Sequence, residues 1–280
     1  KLEEDLDVIL FDRSHQPIKT TKVGELLIQQ AKSILREATK FNEIILEEKD
    51  ETAGEIRIGV IPTLAPYLMP MFLPEFMKKN AHLKIIVEEL QTSQILTKLD
   101  ESELDIGLLV TPIEHNDLKT EALFYEPFLA YVSDKSALAK ANKVDQKDLN
   151  SNELWLLTDG HCFREQSLLL CKSRKKTNDT NKMLLFESGS LETLKKMIDQ
   201  ESGFTLLPYL ATVDISSTKR LKEFTQPVPT REVSLIYNRY FRKNKIKQSL
   251  IESIHKSLPK EIVKSATKNM QIIDLPSGHK

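Results

Sequence analysis

The chain has 280 residues, 40% hydrophobic and 29% charged, enough for roughly two ordinary globular domains and too apolar for a disordered chain. Its 40 basic and 41 acidic side chains nearly cancel, so any contact with nucleic acid has to come from a local basic surface rather than an overall field. Two cysteines are too few for a secreted disulfide scaffold, no apolar run approaches the ~18 to 20 residues of a membrane helix, and the start, Lys1-Leu2-Glu3-Glu4-Asp5, is unlike a signal peptide; a cytoplasmic chain with no membrane partner is expected.

Lys1 to Leu6 reads as the last turns of a helix that begins upstream, followed by the apolar run Val8-Ile9-Leu10-Phe11. The polar stretch from Arg13 to Thr21, with Pro17 inside it, suits a small hairpin or wing, and Thr21 can cap the next helix. From Val23 to about Glu48 there is no proline, and Leu27, Ala31, Ile34, Ala38, Phe41 and Ile45 recur at alternating spacings of four and three. Such a stripe belongs either to an amphipathic helix on its own core or to a dimer helix, and its persistence over three heptads favours the dimer helix. Glu47 to Gly54, charged and ending in glycine, reads as a linker.

Beyond it, short strands alternate with helices: strands at Glu55 to Ile61, Leu83 to Glu89 and Asp105 to Val110, helices at Pro66 to Lys79 and Ser93 to Ser102. A second group follows a crossing near Glu126. It has strands at Phe128 to Val132, Leu154 to Leu157, Met183 to Glu187 and Phe204 to Leu207, with helices from near His161 and from Leu191 to Gln200. Val233 to Tyr237 and a helix near Lys247 to Ser257 then return to the first group. The pattern predicts an α/β fold with a mostly parallel sheet, in two lobes with a cleft between them.

The segment Asp159-Gly160-His161-Cys162-Phe163-Arg164-Glu165 places a thiol at a predicted helix start. There the helix dipole, Arg164 and His161 are expected to favour the thiolate, which can attack a peroxide O–O bond to give a sulfenic acid. Cys171 is the one other thiol available to trap it. Nine residues of regular helix rise about 13.5 Å, whereas a disulfide needs Cα atoms within roughly 7 Å, so a bond between these two would require the helix to unwind. The alternative is that both cysteines are buried apolar fillers. A zinc site of His161, Cys162 and Cys171 matches no common ligand spacing. Thr63 and Thr92, each just after a predicted strand, are either cleft-lining hydroxyls or helix N-caps. No catalytic triad, phosphate loop or dinucleotide motif is present, so an enzyme is not expected.

Gly160-His161-Cys162-Phe163-Arg164, with a second cysteine nine positions on, resembles the redox loop of the OxyR family, LysR-type transcriptional regulators that sense hydrogen peroxide. Leu6 to Arg13 and Thr21-Lys22-Val23-Gly24-Glu25-Leu26-Leu27 resemble the wing and linker-helix start of LysR-type proteins. Ile61-Pro62-Thr63-Leu64-Ala65-Pro66-Tyr67, Gln91-Thr92, Ser190-Leu191-Glu192-Thr193 and Ser202-Gly203-Phe204-Thr205-Leu206-Leu207-Pro208 also look like family landmarks. The resemblance implies a two-lobed, periplasmic-binding-protein-like regulatory domain preceded by a truncated winged helix-turn-helix and a long linker helix. Residues 1–20 would be the wing, 21–53 the linker helix and hinge, 54–126 with 228–280 the first lobe, and 127–227 the second lobe.

It further implies Cys162 as the peroxidatic thiol, Cys171 as its resolving partner, and Thr63, Thr92, His161, Arg164 and Glu165 around the peroxide. Glu165 stands where the family usually has aspartate, and the basic stretch Lys172 to Lys182 is longer than the family pattern. Implied partners are promoter DNA, a homodimer or homotetramer, RNA polymerase, and a thiol reductant of glutaredoxin or thioredoxin type; no cofactor or metal is implied. Arg13, His15, Lys19 and Lys22 are the candidates for contact with the DNA backbone, where they would position rather than specify. The rival within the same class is a LysR-type regulator answering to a small organic effector in the cleft. Rivals from other classes are a thiol peroxidase, disfavoured by the heptad helix and the wing, and a periplasmic-type solute-binding protein, disfavoured by the start unlike an export signal and by the wing.

Overall fold

The computed structural model describes residues 1–14, 16–31, 34–35, 38, 54–171, 188–215, 218–262 and 267–274. The chain divides into two compact units, Lys1–Gly54 and Glu55–Lys280.

In the first unit, helix α1 (Leu2–Leu6) ends on Asp7, whose φ of 51° turns the chain back. The Glu3 carboxylate accepts from the backbone N–H groups of Leu10 (2.6 Å) and Phe11 (3.1 Å), which holds its pKa below the ordinary carboxylate range. Strands β1 (Phe11–Asp12) and β2 (Lys19–Thr20) pair antiparallel as the expected small hairpin. Thr21 caps the following helix, accepting from Gly24 N–H at 3.0 Å. That helix, α2, covers residues 22–31, and residues 34, 35 and 38 are also helical. Leu27 and Ile34, two members of the heptad stripe, are 37% and 61% exposed. Phe41, Ile45 and the linker lie outside the described residues.

The second unit begins with β3 (Gly54–Val60), α3 (Ala65–Lys79), β4 (Leu83–Glu89), α4 (Thr92–Asp100) and β5 (Ile106–Thr111). β5 is buried along its whole length, which is why it reads as an unbroken apolar run. Two long strands follow: β6 (Leu118–Val132) and, much later, β10 (Val228–Asn238). Between them come β7 (Lys143–Val144), α5 (Cys162–Leu170), α6 (Leu191–Gln200), β8 (Phe204–Pro208) and β9 (Leu221–Phe224); α7 (Asn244–Ser257) and β11 (Met270–Ile272) complete the unit.

The sheet is mixed, which corrects the expectation of a mostly parallel one. β3 and β5 are parallel, but β10 runs antiparallel to both β5 and β6, and β6 antiparallel to β8 and β9. The reason is that β6 and β10 each traverse both lobes and must pair in opposite directions to do so. Leu154 to Leu157 is not a strand but makes single bridges to Phe204 and Ser188; the expected strand from Met183 to Glu187 lies outside the described residues.

Two apolar clusters give the lobes their cores. One gathers Ile56, Ile58, Leu68, Phe72, Phe76, Leu108 and Leu250, and the other Phe128, Phe163, Leu170, Leu194, Phe204 and Leu207. The C-terminal segment, expected in the first lobe, sends Ile273 into the second cluster.

Candidate functional site

Cys162 is the first residue of α5 and is 4% exposed. Its neighbour Gly160 has a φ of +88°, and a Cβ there would lie 2.7 Å from Gln91 Oε1, so glycine is what lets the α5 entry loop pass against the start of α4. That approach sets the first residues of the two helices face to face: Thr92 Oγ1 is 3.0 Å from Cys162 Sγ, with both residues buried. Gln91 and Gln94 form the capping box of α4, so Thr92 is released from capping and its hydroxyl is available to the sulfur.

On the other side lies Arg231, at the middle of β10 and 0% exposed. Its Nε donates to Glu126 Oε2 at 2.8 Å, its Nη1 to Thr63 Oγ1 at 3.0 Å and its Nη2 to the Thr63 carbonyl at 3.2 Å. Glu126 is its cross-strand partner on β6, also fully buried, and accepts from Leu210 N–H at 2.7 Å through its second oxygen. The guanidinium lies 5.5 Å from the Phe163 ring centre, and Phe163 in turn stacks on Phe128. The pair thus binds the loop after β3, the crossing strands and the first turn of α5 into one buried array.

Burial pushes the Cys162 thiol above its ordinary range. The Thr92 hydroxyl, the Cys162 backbone N–H and the Arg231 charge pull the other way, and Glu165 adds to the rise. This corrects the expectation of a thiolate at rest: desolvation outweighs the helix terminus, and Arg164 is turned elsewhere. Its Nη1 donates to the Leu157 carbonyl at 2.7 Å, and its Nε makes an ion contact with Asp159 at 2.7 Å that is not aligned as a hydrogen bond. His161 is buried, which lowers its proton affinity and leaves the imidazole neutral at pH 7.

Cys171 caps the other end of α5 and is 1% exposed, in the second apolar cluster with Leu170, Phe163 and Ile273; burial alone pushes its thiol up to about 12. Both thiols are free. A regular helix therefore separates the sulfurs, with a rise of about 13.5 Å between their Cα atoms.

Residues 49–259 match the LysR substrate binding domain family. A hydrogen peroxide-inducible genes activator of Haemophilus influenzae is 33% identical over 86% of this chain and 82% of its own length. The chain belongs to the OxyR branch of the LysR-type regulators. Two solved structures are similar across the fold. OxyR from Porphyromonas gingivalis (31% identity, TM-score 0.71) covers 79% of this chain and 100% of that one, and full-length OxyR from Pseudomonas aeruginosa (29%, TM-score 0.74) covers 92% and 86%.

Within this OxyR-type chain, Thr63, Thr92, His161 and Cys162 are all buried, Thr63 reaching the array through Arg231 and Thr92 directly. Neither threonine serves as an N-cap, since Leu64 and Gln91 hold those positions. Arg231 and Glu126 are the residues that sequence reasoning missed. A signal existed: Arg231 shares a face of β10 with Val233 and Leu235, both fully buried. Of the DNA-contact candidates, Arg13 is exposed and bonded to Glu3 at 3.4 Å, Lys19 lies on β2, Lys22 is exposed at the start of α2, and His15 lies outside the described residues. Among the described residues no His, Cys, Asp and Glu are grouped to hold a metal ion, and no helix is long and apolar enough to cross a membrane.

Proposed function

We propose that this chain senses hydrogen peroxide through Cys162 and Cys171 and passes the change to promoter DNA. The observation that carries the reading is that one helix, α5, holds a thiol at each end, the first of them 3.0 Å from a buried hydroxyl. The Cys162 thiolate attacks one peroxide oxygen, the O–O bond breaks, and the departing hydroxide leaves as water with the thiol proton. Cys162 is then a sulfenic acid, oxidised by two electrons. The Thr92 hydroxyl donates to the thiolate, and Arg231 supplies a fixed positive charge that favours it.

Once α5 unwinds, the Cys171 sulfur attacks the sulfenic sulfur and a second water leaves. The net change is two thiols and one peroxide to one disulfide and two waters. A cytoplasmic reductant of glutaredoxin or thioredoxin type would reverse it. Because the bond cannot form across an intact helix, disulfide closure and rearrangement of the second lobe are a single event. The exposure of Leu27 and Ile34 supports a subunit-pairing role for α2, in a homodimer or homotetramer whose oxidised form contacts RNA polymerase. Arg13, His15, Lys19 and Lys22 would meet the DNA backbone.

The test is non-reducing peptide mass spectrometry after brief treatment with one equivalent of hydrogen peroxide. A Cys162–Cys171 cross-link is expected, while a Cys171→Ser variant should stop at a trappable sulfenic acid on Cys162. Recovery of both cysteines as separate thiols overturns the reading.

A further inference from the structure

The disulfide reading requires α5 to come apart, and one of the bonds holding it in place lies midway between the sulfurs. Gln166 is fully buried and donates through Nε2 to the carbonyl of Ile273 at 2.7 Å. The direction of that bond is fixed, since a carbonyl can only accept. Its other amide atom, Oε1, is buried with no partner among the described residues. Gln166 makes no hydrogen bond to Cys162, Thr92 or Arg231, so it belongs to the helix's anchoring and not to the groups on the reacting sulfur.

Ile273 directly follows β11, which runs parallel to β10 from Val228 to Thr230. Its N–H donates to the Thr230 carbonyl at 2.9 Å, and its side chain belongs to the same buried apolar cluster as Phe163, Leu170 and Cys171. Gln146 Nε2 steadies the same strand by donating to Gln271 Oε1 at 2.7 Å. The segment is thus pinned to β10 by backbone bonds and to α5 by one side chain and a shared apolar cluster.

We infer that Gln166 is a positioning residue of the thiol switch: through the Ile273 carbonyl it clips α5 to the C-terminal strand, and opening of α5 unclips that strand. The inference rests on the proposed disulfide. It assigns Gln166 to the second chemical step alone, because that step, and not attack on peroxide, needs the helix to move. It also makes the segment Met270–Ile273 part of what the oxidised protein displays differently.

The experiment is hydrogen exchange on the full chain, reduced and treated with one equivalent of hydrogen peroxide, read on peptides covering residues 267–274. The Ile273 amide is expected to be protected when reduced, to lose protection in the disulfide form, and to keep it in peroxide-treated Cys171→Ser, which stops at the sulfenic acid. In Gln166→Met, sulfenic acid formation should keep its rate while disulfide closure quickens about fivefold, the equivalent of one ordinary buried hydrogen bond. A disulfide formed with Ile273 still protected overturns this inference alone, as does a Gln166→Met effect equal on both steps. Absence of any disulfide in the parent chain removes the underlying reading and the inference with it. The parent-chain comparison stands even where the Gln166 variant folds poorly.

Discussion

Replacing Thr92 by valine keeps the shape of a side chain that is 4% exposed and removes the hydroxyl 3.0 Å from Cys162 Sγ. A hydrogen bond to a charged group contributes roughly 1.5–3 kcal/mol, and each ~1.4 kcal/mol is a factor of ten, so the thiolate population at pH 7 should fall by roughly ten- to a hundredfold. The thiolate that remains is more basic and a better nucleophile, with a Brønsted slope of about 0.4–0.5 returning nearly half of that loss on a logarithmic scale. The net expectation is a roughly four- to fifteenfold slower oxidation at pH 7, with the rate still climbing at pH values where the parent begins to level. Quenched-flow mass spectrometry of the Cys162 sulfenic acid across a pH series measures this, and Thr92→Ser should restore most of the rate. A valine variant whose rate–pH curve superimposes on the parent's refutes the role given to the hydroxyl.

Arg231→Met leaves the Glu126 carboxylate buried without its counter-charge and should destabilise the protein by about 3–5 kcal/mol in urea unfolding, part of it recovered by adding Glu126→Gln. Gly160→Ala forces a side chain into the left-handed region and against Gln91, and a loss of about 1–3 kcal/mol is expected from thermal or urea denaturation. For Cys171 the folded protein holds the thiol protonated up to about 12, against an ordinary value of 9.0. Its stabilising effect is therefore complete below pH 9 and is lost as pH rises through 12. Under reducing conditions the stability of the parent relative to Cys171→Ala should fall by about 1.4 kcal/mol per pH unit across that window, seen by urea titration at several pH values. A constant difference would show that burial does not hold the proton on.

Local signals carried far in this sequence. Helix α6 begins and ends where its pattern predicts, because Ser190 caps it through Thr193 N–H and its apolar face is regular. Thr21, likewise, caps α2 from a signal contained in four residues. What local pattern could not supply is partnership across the chain. Glu126 and Arg231 are 105 positions apart and meet because two strands pair, and an arginine in a strand reads by default as solvent-facing. The same limit explains the error over Cys162: its dipole and neighbouring cation are visible in sequence, whereas the burial that overrides them is a property of the folded lobe. The length of β6 was hidden by Pro127, whose place opposite Thr230 at the crossing is tolerated where a continuous central strand would not usually hold it.

The ribbon formed by β6 and β10 also limits what an altered second lobe can transmit. Its ladder runs in register from Leu118 opposite Asn238 to Pro127 opposite Thr230, with one bulge at Val233/Ser234. Slippage of either strand by a single residue would put Arg231 and Glu126 on opposite faces of the sheet and strand two charges. A rearranged second lobe would therefore have to reach the first without sliding these two strands past each other.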